Sequence, residues 1–484
     1  MAKPEIKINL PTSKSIVNRL LIIEALSGKK ILENSEISCD DTNVLSQALL
    51  KSESQKVNKS ESRKVGKSDL QTDRLSDLQT EINAGLSGTA MRFLTAFLAQ
   101  KSGEWILTGE KPLLLRPIGE LVDLLRTLGA EIYYLEKEGF LPLKIVGKKL
   151  VGVGRVGAGR ALPLRDQPLQ CSQLVSSQTI SALMLIAPML ENGLKIEFQN
   201  ISSFSYILLT KKIMEMCGVK IECHCGLDPQ SNENCLKAIA GQACNDNNIC
   251  ISVFPQKYFP QKILIEADWS AAAFWYAFLA ISNEKQITLN NLFPDSYQPD
   301  SVVKDIFKYF GIKYEFSENN LIITKNTGTQ ITQIFTEKIC VNPFNLRHLR
   351  SKRIFKYNFK NCPDLVPALA VTCCAKGVKF IFSGVKNLKF KESNRLQALC
   401  NELQKCGFAV KNSSDFLFWN GSPPAPLKGV KPQSPIKINT HNDHRIAMAF
   451  GILSRVIDLE IINPQVVEKS YRGFWKNLPK KAHR

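Results

Sequence analysis

The chain has 484 residues, 44% of them hydrophobic and 22% charged, and a formal net charge of +19. This excludes global disorder and gives enough apolar material for two substantial cores rather than one. The positive excess asks for an anionic partner, and composition leaves nucleic acid, a membrane surface and small phosphorylated molecules all open.

The first residues, Met1 to Lys7, lack the apolar core of a signal peptide. A helix at 13–26 opens with Ser13-Lys14-Ser15-Ile16-Val17-Asn18-Arg19, grouping two cations and two hydroxyls at a helix start. Residues 51–80 carry a tandem repeat, KSESQKVN, KSESRKVG, KSDLQTDR, with few large apolar residues, and read as a solvated loop inserted into an older scaffold. Three further stretches read as insertions: 158–173, 223–250 and 340–353. The last ends in the basic run 347–353, which reads as a solvated loop more readily than as an RNA contact.

The chain holds 14 cysteines, which a reducing cytoplasm would keep as thiols. Cys223, Cys225, Cys235, Cys244 and Cys250 cluster around His224, but without the paired knuckles of a zinc site, so no metal is expected. The longest apolar runs, 180–190 and 271–281, fall short of the roughly 20 residues that span a bilayer. A soluble cytoplasmic protein is expected.

Beneath the insertions lies a longer period. RTLG at Gly129, EMCG at Gly218, KYFG at Gly311 and QKCG at Gly407 each end an amphipathic helix and precede an alternating strand, about 90 residues apart. A second helix series interleaves with the first at 13–26, 88–99, 177–190, 268–281, 363–375 and 443–453. Its members are apolar nearly all round, hence buried, and are headed by TSKS, LSGT, VSSQ, ADWS, NCPD and HNDH. Six polar heads in register suggest more than capping. If their N-termini face one cleft, free N–H groups and dipoles make an anion site without a metal.

Arg92, Arg116, Arg395, Arg445 and Lys469 lie in helix-start or turn contexts, where arginine can grip phosphate or carboxylate with two hydrogen bonds. Lys391-Glu392-Ser393-Asn394-Arg395 sets a carboxylate between cations. It is either a salt-bridged helix start or an acid–base group. Asp364 is a second carboxylate at a buried helix start, and His444 reads as a hydrogen-bonded structural residue.

The motifs SKSIVNR, GTAMRFLTA, RPIGELVDLLR, SSQ, DWSAAAF, CPDLVPALA, KESNRL, NDHRIAMA and EKSYRGFW run in order from Ser13 to about Leu478. In these the chain resembles the 5-enolpyruvylshikimate-3-phosphate synthase family. The resemblance implies an α/β fold, a two-domain inside-out α/β barrel with three βαβαββ repeats per domain around buried helices. One domain would run over 13–266, and the other would join 1–12 to 267–484.

It also implies transfer of the enolpyruvyl group of phosphoenolpyruvate to the 5-hydroxyl of shikimate 3-phosphate. By resemblance, phosphoenolpyruvate is held by Lys14, Gly88, Arg116, Gln178, Arg395, Arg445 and Lys469. Shikimate 3-phosphate is held by Ser15, Arg19, Ser176, Ser177, Ser203, Asp364, Asn387 and Lys391. Asp364, Glu392 and Lys14 are the implied catalytic groups. No cofactor, metal, nucleic acid or membrane is implied, and the chain is expected to be a monomer.

The chain departs from the family pattern at Leu86, Phe204, Ser205, Asn394 and Arg472. Rival readings are a UDP-N-acetylglucosamine enolpyruvyl transferase, disfavoured because the loop 111–117 has no cysteine, a basic RNA-binding protein, and an inactive homologue.

Overall fold

The computed structural model describes residues 6–33, 36–62, 80–150, 168–171, 176–199, 201–225, 249–326, 354–421 and 435–479, the side chains of 55–62 and 225 excepted. The chain forms two compact units. The amino-terminal unit comprises Lys14–Ile37 and Asp41–Leu264; the carboxy-terminal unit comprises Met1–Ser13, Ser38–Asp40 and Ile265–Arg484.

Helices apolar on all sides find the only place they can go. In the amino-terminal unit, Lys14–Ser27, Gly88–Gln100 and Ser177–Ile186 pack against one another. In the carboxy-terminal unit, Trp269–Ile281, Val366–Ala375 and His444–Leu453 do the same. Every residue from Trp269 to Ala280 is buried, as an all-round apolar helix requires. The polar heads cap as expected at four of the six. Ser87, Ser176, Asp268 and Asp443 accept hydrogen bonds from the backbone N–H groups of Ala90, Thr179, Ala271 and Arg445. The helix at Val366 is entered instead through the 3-10 turn Pro363–Leu365.

Around these helices stand sheets of one recurring pattern. In Thr80–Asn83, Gly103–Thr108, Glu131–Tyr134 and Leu143–Gly147, the first two strands pair in parallel across a buried helix, and the last joins the second and third antiparallel. The same order returns in the sheet of Leu169–Gln170, Leu194–Phe198, Ile221–Cys225 and Ile249–Val253. It returns again in that of Ile354–Asn358, Lys379–Ser383, Lys411–Asn412 and Phe416–Trp419. A fourth sheet, of Gln286–Asn290, Ile312–Ser317 and Asn320–Lys325, draws its first strand from the start of the chain. Lys7–Ile8 pairs in parallel with Thr288 and Leu289. Ile436–Asn439 and Leu459–Ile462 form a parallel pair across the His444 helix. Gly129, Gly218, Gly311 and Gly407 all take positive φ, between 77° and 96°, the left-handed turn that lets each outer helix give way to its strand.

Three of the expected insertions need correction at their edges. The helix Asp40–Ser62 runs on through the first residues of the 51–80 repeat. Ser52 is fully buried, donates to the Leu49 carbonyl and accepts from Lys101 Nζ at 2.9 Å. A small hydroxyl on one face of a helix can bury where a loop could not. Within 158–173, Leu169–Gln170 is a sheet strand, with Leu169 buried and paired to Ile196. Within 223–250, Cys223 and Cys225 finish one strand and Ile249 and Cys250 begin its partner, Cys225 facing Ile249. The extra chain is therefore closed by two paired strands, which keeps its entropic cost small. Residues 340–353 lie outside those described, as do Cys235 and Cys244.

Candidate active site

Three segments of the carboxy-terminal unit converge on one carboxylate. Asp364 stands on the turn that feeds the Val366 helix. Its Oδ1 accepts from Arg395 Nη1 at 2.8 Å and lies 3.4 Å from Lys391 Nζ; its Oδ2 accepts from Arg445 Nη2 at 3.0 Å. Burial alone would raise this carboxyl, but Arg445, Lys391 and Arg395 together outweigh it and hold Asp364 well below the usual carboxylate range.

Arg395 is the hub. It is 1% exposed, opens the helix Arg395–Lys405, and uses its fork on three carboxylates: Asp364, Asp443 at 2.7 Å from Nε, and Glu392 through Nη2. The other oxygen of Glu392 lies 3.5 Å from Lys469 Nζ. The KESNR segment is thus a salt-bridged helix start whose carboxylate is set among cations. Asn394 caps the helix by accepting from the Gln397 N–H. Asn387 is half-buried on the 3-10 turn Lys386–Phe390 that precedes Lys391. His444 is buried at the head of its helix.

The amino-terminal unit gathers cations differently, on hydroxyls, amides and carbonyls more than on carboxylates. Arg92, one turn into the Gly88 helix, donates to the Gly88 carbonyl, to Gln178 Oε1 at 3.1 Å and to the Pro117 carbonyl. Gln178 in turn donates to Thr89 at 2.9 Å, tying the starts of two buried helices together. Arg116 reaches the same place. A β-carbon built on Gly88 would meet Arg116 Nη1 at 2.9 Å and Arg92 Nη1 at 3.3 Å, so glycine there makes room for two guanidinium groups. Burial, then the like charge of Arg116, pushes Arg92 down to about 10, which Glu120 only partly offsets. Such a place favours a bound anion.

Lys14 pairs with the buried Asp41 at 2.9 Å. Arg19 is buried and donates to Thr210, Ser181 and the carbonyls of Ser15 and Tyr206, and burial pushes it down to about 10. Ser176 caps the helix in which Ser177 and Gln178 are the first two residues. Ser203 is buried with φ of 63°, a left-handed backbone uncommon for serine and of the kind that gathers at functional sites.

Sequence reasoning missed Asp443 as a partner of Arg395, Asp41 as the partner of Lys14, and Arg92 as the link to Gln178. The first was visible only as a cap, and the others join residues 27 and 86 positions apart. Among the described residues no group of three or more His, Cys, Asp or Glu could hold a metal ion. Cys223 is a buried thiol that burial pushes up to about 11, as suits a reduced core residue. No helix of the described residues is long and apolar enough to cross a membrane.

Residues 3–478 match the model of the EPSP synthase (3-phosphoshikimate 1-carboxyvinyltransferase) family. A 3-phosphoshikimate 1-carboxyvinyltransferase from Bacteroides fragilis is 34% identical over 476 residues, covering 98% of this chain and 94% of the relative. One from Buchnera aphidicola subsp. Cinara cedri is 31% identical over 481 residues, covering 99% and 95%. Among solved structures, EPSP synthase from Acinetobacter baumannii aligns with a TM-score of 0.57 at 18% identity, covering 97% of this chain and 94% of that one. The enolpyruvyl transferase NikO from Streptomyces tendae aligns with a TM-score of 0.58 at 10% identity, covering 98% and 94%. These two likenesses speak for the two-domain α/β fold, while the family match and the sequence relatives carry more: the chain belongs to the EPSP synthase family.

Proposed function

We propose the division of labour by which this chain performs the reaction of its family. The chain is a transferase of aromatic amino-acid biosynthesis, moving the enolpyruvyl group of phosphoenolpyruvate to the 5-hydroxyl of shikimate 3-phosphate and releasing phosphate. The observation that carries the assignment is the network centred on Asp364, in which Lys391, Arg395 and Arg445 surround one carboxylate while Glu392 joins Arg395 to Lys469.

Asp364 is the base for the attacking hydroxyl. Held so low by its cations, it is a weak base until an anionic substrate draws Arg445 and Lys391 toward itself. Binding thereby raises its basicity at the moment it is needed. The hydroxyl oxygen attacks C2 while C3 takes a proton from Glu392, giving a tetrahedral intermediate. Glu392 then retakes a C3 proton as phosphate leaves, with Lys14 assisting, and the cations stabilise the departing charge. Phosphoenolpyruvate takes Lys14, Gly88, Arg116, Gln178, Arg395, Arg445 and Lys469. Shikimate 3-phosphate takes Ser15, Arg19, Ser176, Ser177, Ser203, Asp364, Asn387 and Lys391. The two units are the two three-repeat domains, and the enzyme works as a cytoplasmic monomer without cofactor or nucleic acid.

A coupled phosphate-release assay tests this with shikimate 3-phosphate and with UDP-N-acetylglucosamine as acceptors. Turnover is expected with the first alone; turnover with the second alone would overturn the acceptor assignment.

A further inference from the structure

One buried carboxyl of the carboxy-terminal unit has no part in the scheme above. Asp300 lies on the 3-10 turn Pro299–Val302 and is 1% exposed. Its Oδ2 accepts from the Ser270 hydroxyl, while Oδ1 is buried with no hydrogen-bond partner. A carboxyl kept merely for structure would have both oxygens satisfied, because an open buried acceptor is costly. The turn packs on the Trp269–Ile281 helix, which carries Ser270. That helix also packs against the turn bearing Asp364 and the helix bearing Arg445. The charges that weigh on Asp300 are those of Asp364, Arg445 and Asp268, and its own charge bears on Cys362 and Tyr357.

Charge gives this placement its meaning. Lys391, Arg395, Arg445 and Lys469 face three carboxylates in the network, Asp364, Glu392 and Asp443. Each of these carboxylates draws on a cation that an anionic substrate also needs, and Asp364 and Asp268 both act on Arg445. An ionised Asp300 would add a further negative charge acting on Arg445. We propose that Asp300 is a positioning residue: neutral, it leaves Arg445 available to phosphoenolpyruvate, and ionised, it draws Arg445 away and weakens binding. The proposal rests on the assignment of Arg445 and Asp364 made above. Burial and then Asp364 push Asp300 up to about 7, against the pull of Arg445 and Ser270, which places the change near neutrality.

Steady-state kinetics over about pH 6 to 9 test it, on the wild type, Asp300→Asn and Ser270→Ala. In the wild type, KM for phosphoenolpyruvate should rise several-fold through neutrality, more than kcat falls. Asp300→Asn should abolish that rise and keep the low-pH KM throughout. Ser270→Ala removes the hydrogen bond that favours the ionised form and should move the rise to higher pH. A wild type without the rise, an Asp300→Asn enzyme that keeps it, or a Ser270→Ala enzyme whose rise stays in place would each overturn the proposal. If Asp300→Asn does not fold, Ser270→Ala decides alone. A wild type with no turnover at all would instead undo the assigned reaction.

Discussion

Arg395 holds three carboxylates from a nearly sealed position, so its loss would strand buried negative charge. Replacing it with methionine should destabilise the protein by about 3–5 kcal/mol, read from urea unfolding; a change under about 1 kcal/mol would mean the network is solvated after all. Glu392→Gln, by contrast, should fold with little change in melting temperature and lose most turnover, and retained turnover would exclude Glu392 as the proton carrier. Gly88→Ala should raise KM for phosphoenolpyruvate without lowering melting temperature, since the clashing atoms are the ends of flexible arginines. An unchanged KM would remove Arg116 from the substrate. Asp300 also makes a stability prediction. Its folded value near 7 exceeds the ordinary value of about 3.9, so the folded state holds a proton that the unfolded state has lost. Its contribution is full below about pH 4 and is lost as pH rises through the raised folded value. Asp300→Asn should therefore outlast the wild type in urea above neutrality. The charged residues that the structure brings together around Asp364 could be picked out as candidates from their motifs, because lysines, arginines and carboxylates beside helix starts have a clear physical reading. Asp300 could not. It sits in Gln298-Pro299-Asp300, a turn with no periodicity, and its significance comes only from what folding packs against it.

Elements were legible wherever they were long and uniform. The six buried helices announced themselves by being apolar on every face, and four glycines marked where outer helices stop. The shortest strands did not: Lys7–Ile8, Leu169–Gln170 and Lys411–Asn412 are two residues each, too brief for alternation to register. The repeat beginning at Lys51 misled for a different reason. Its polar composition says loop, yet Ser52 continues a helix that starts at Asp40, and one buried hydroxyl with Lys101 on it is enough to anchor that turn. Removing 52–80 should consequently lower the melting temperature more than removing 63–79. Equal effects would show that the Ser52 contact contributes nothing.

For the molecule as a whole, some of the lysines and arginines are paired with internal carboxylates, and the net charge of +19 is the excess left for anions. Raising ionic strength from about 0.1 M to about 1 M shortens the screening length from roughly 10 to 3 Å. It should raise KM for both substrates while leaving kcat nearly unchanged; KM values indifferent to salt would argue against charge-driven binding. The split into two cores followed from length, but the pairing of the first residues with the second half did not, since two residues of strand carry that information. That pairing has a consequence for how the chain is made. Ile8 leaves the ribosome well before its neighbour Leu289, which follows only after tens of seconds at about 5–20 residues per second. The whole amino-terminal unit can settle during that wait, while the leading strand stays without its sheet until translation reaches the distal half.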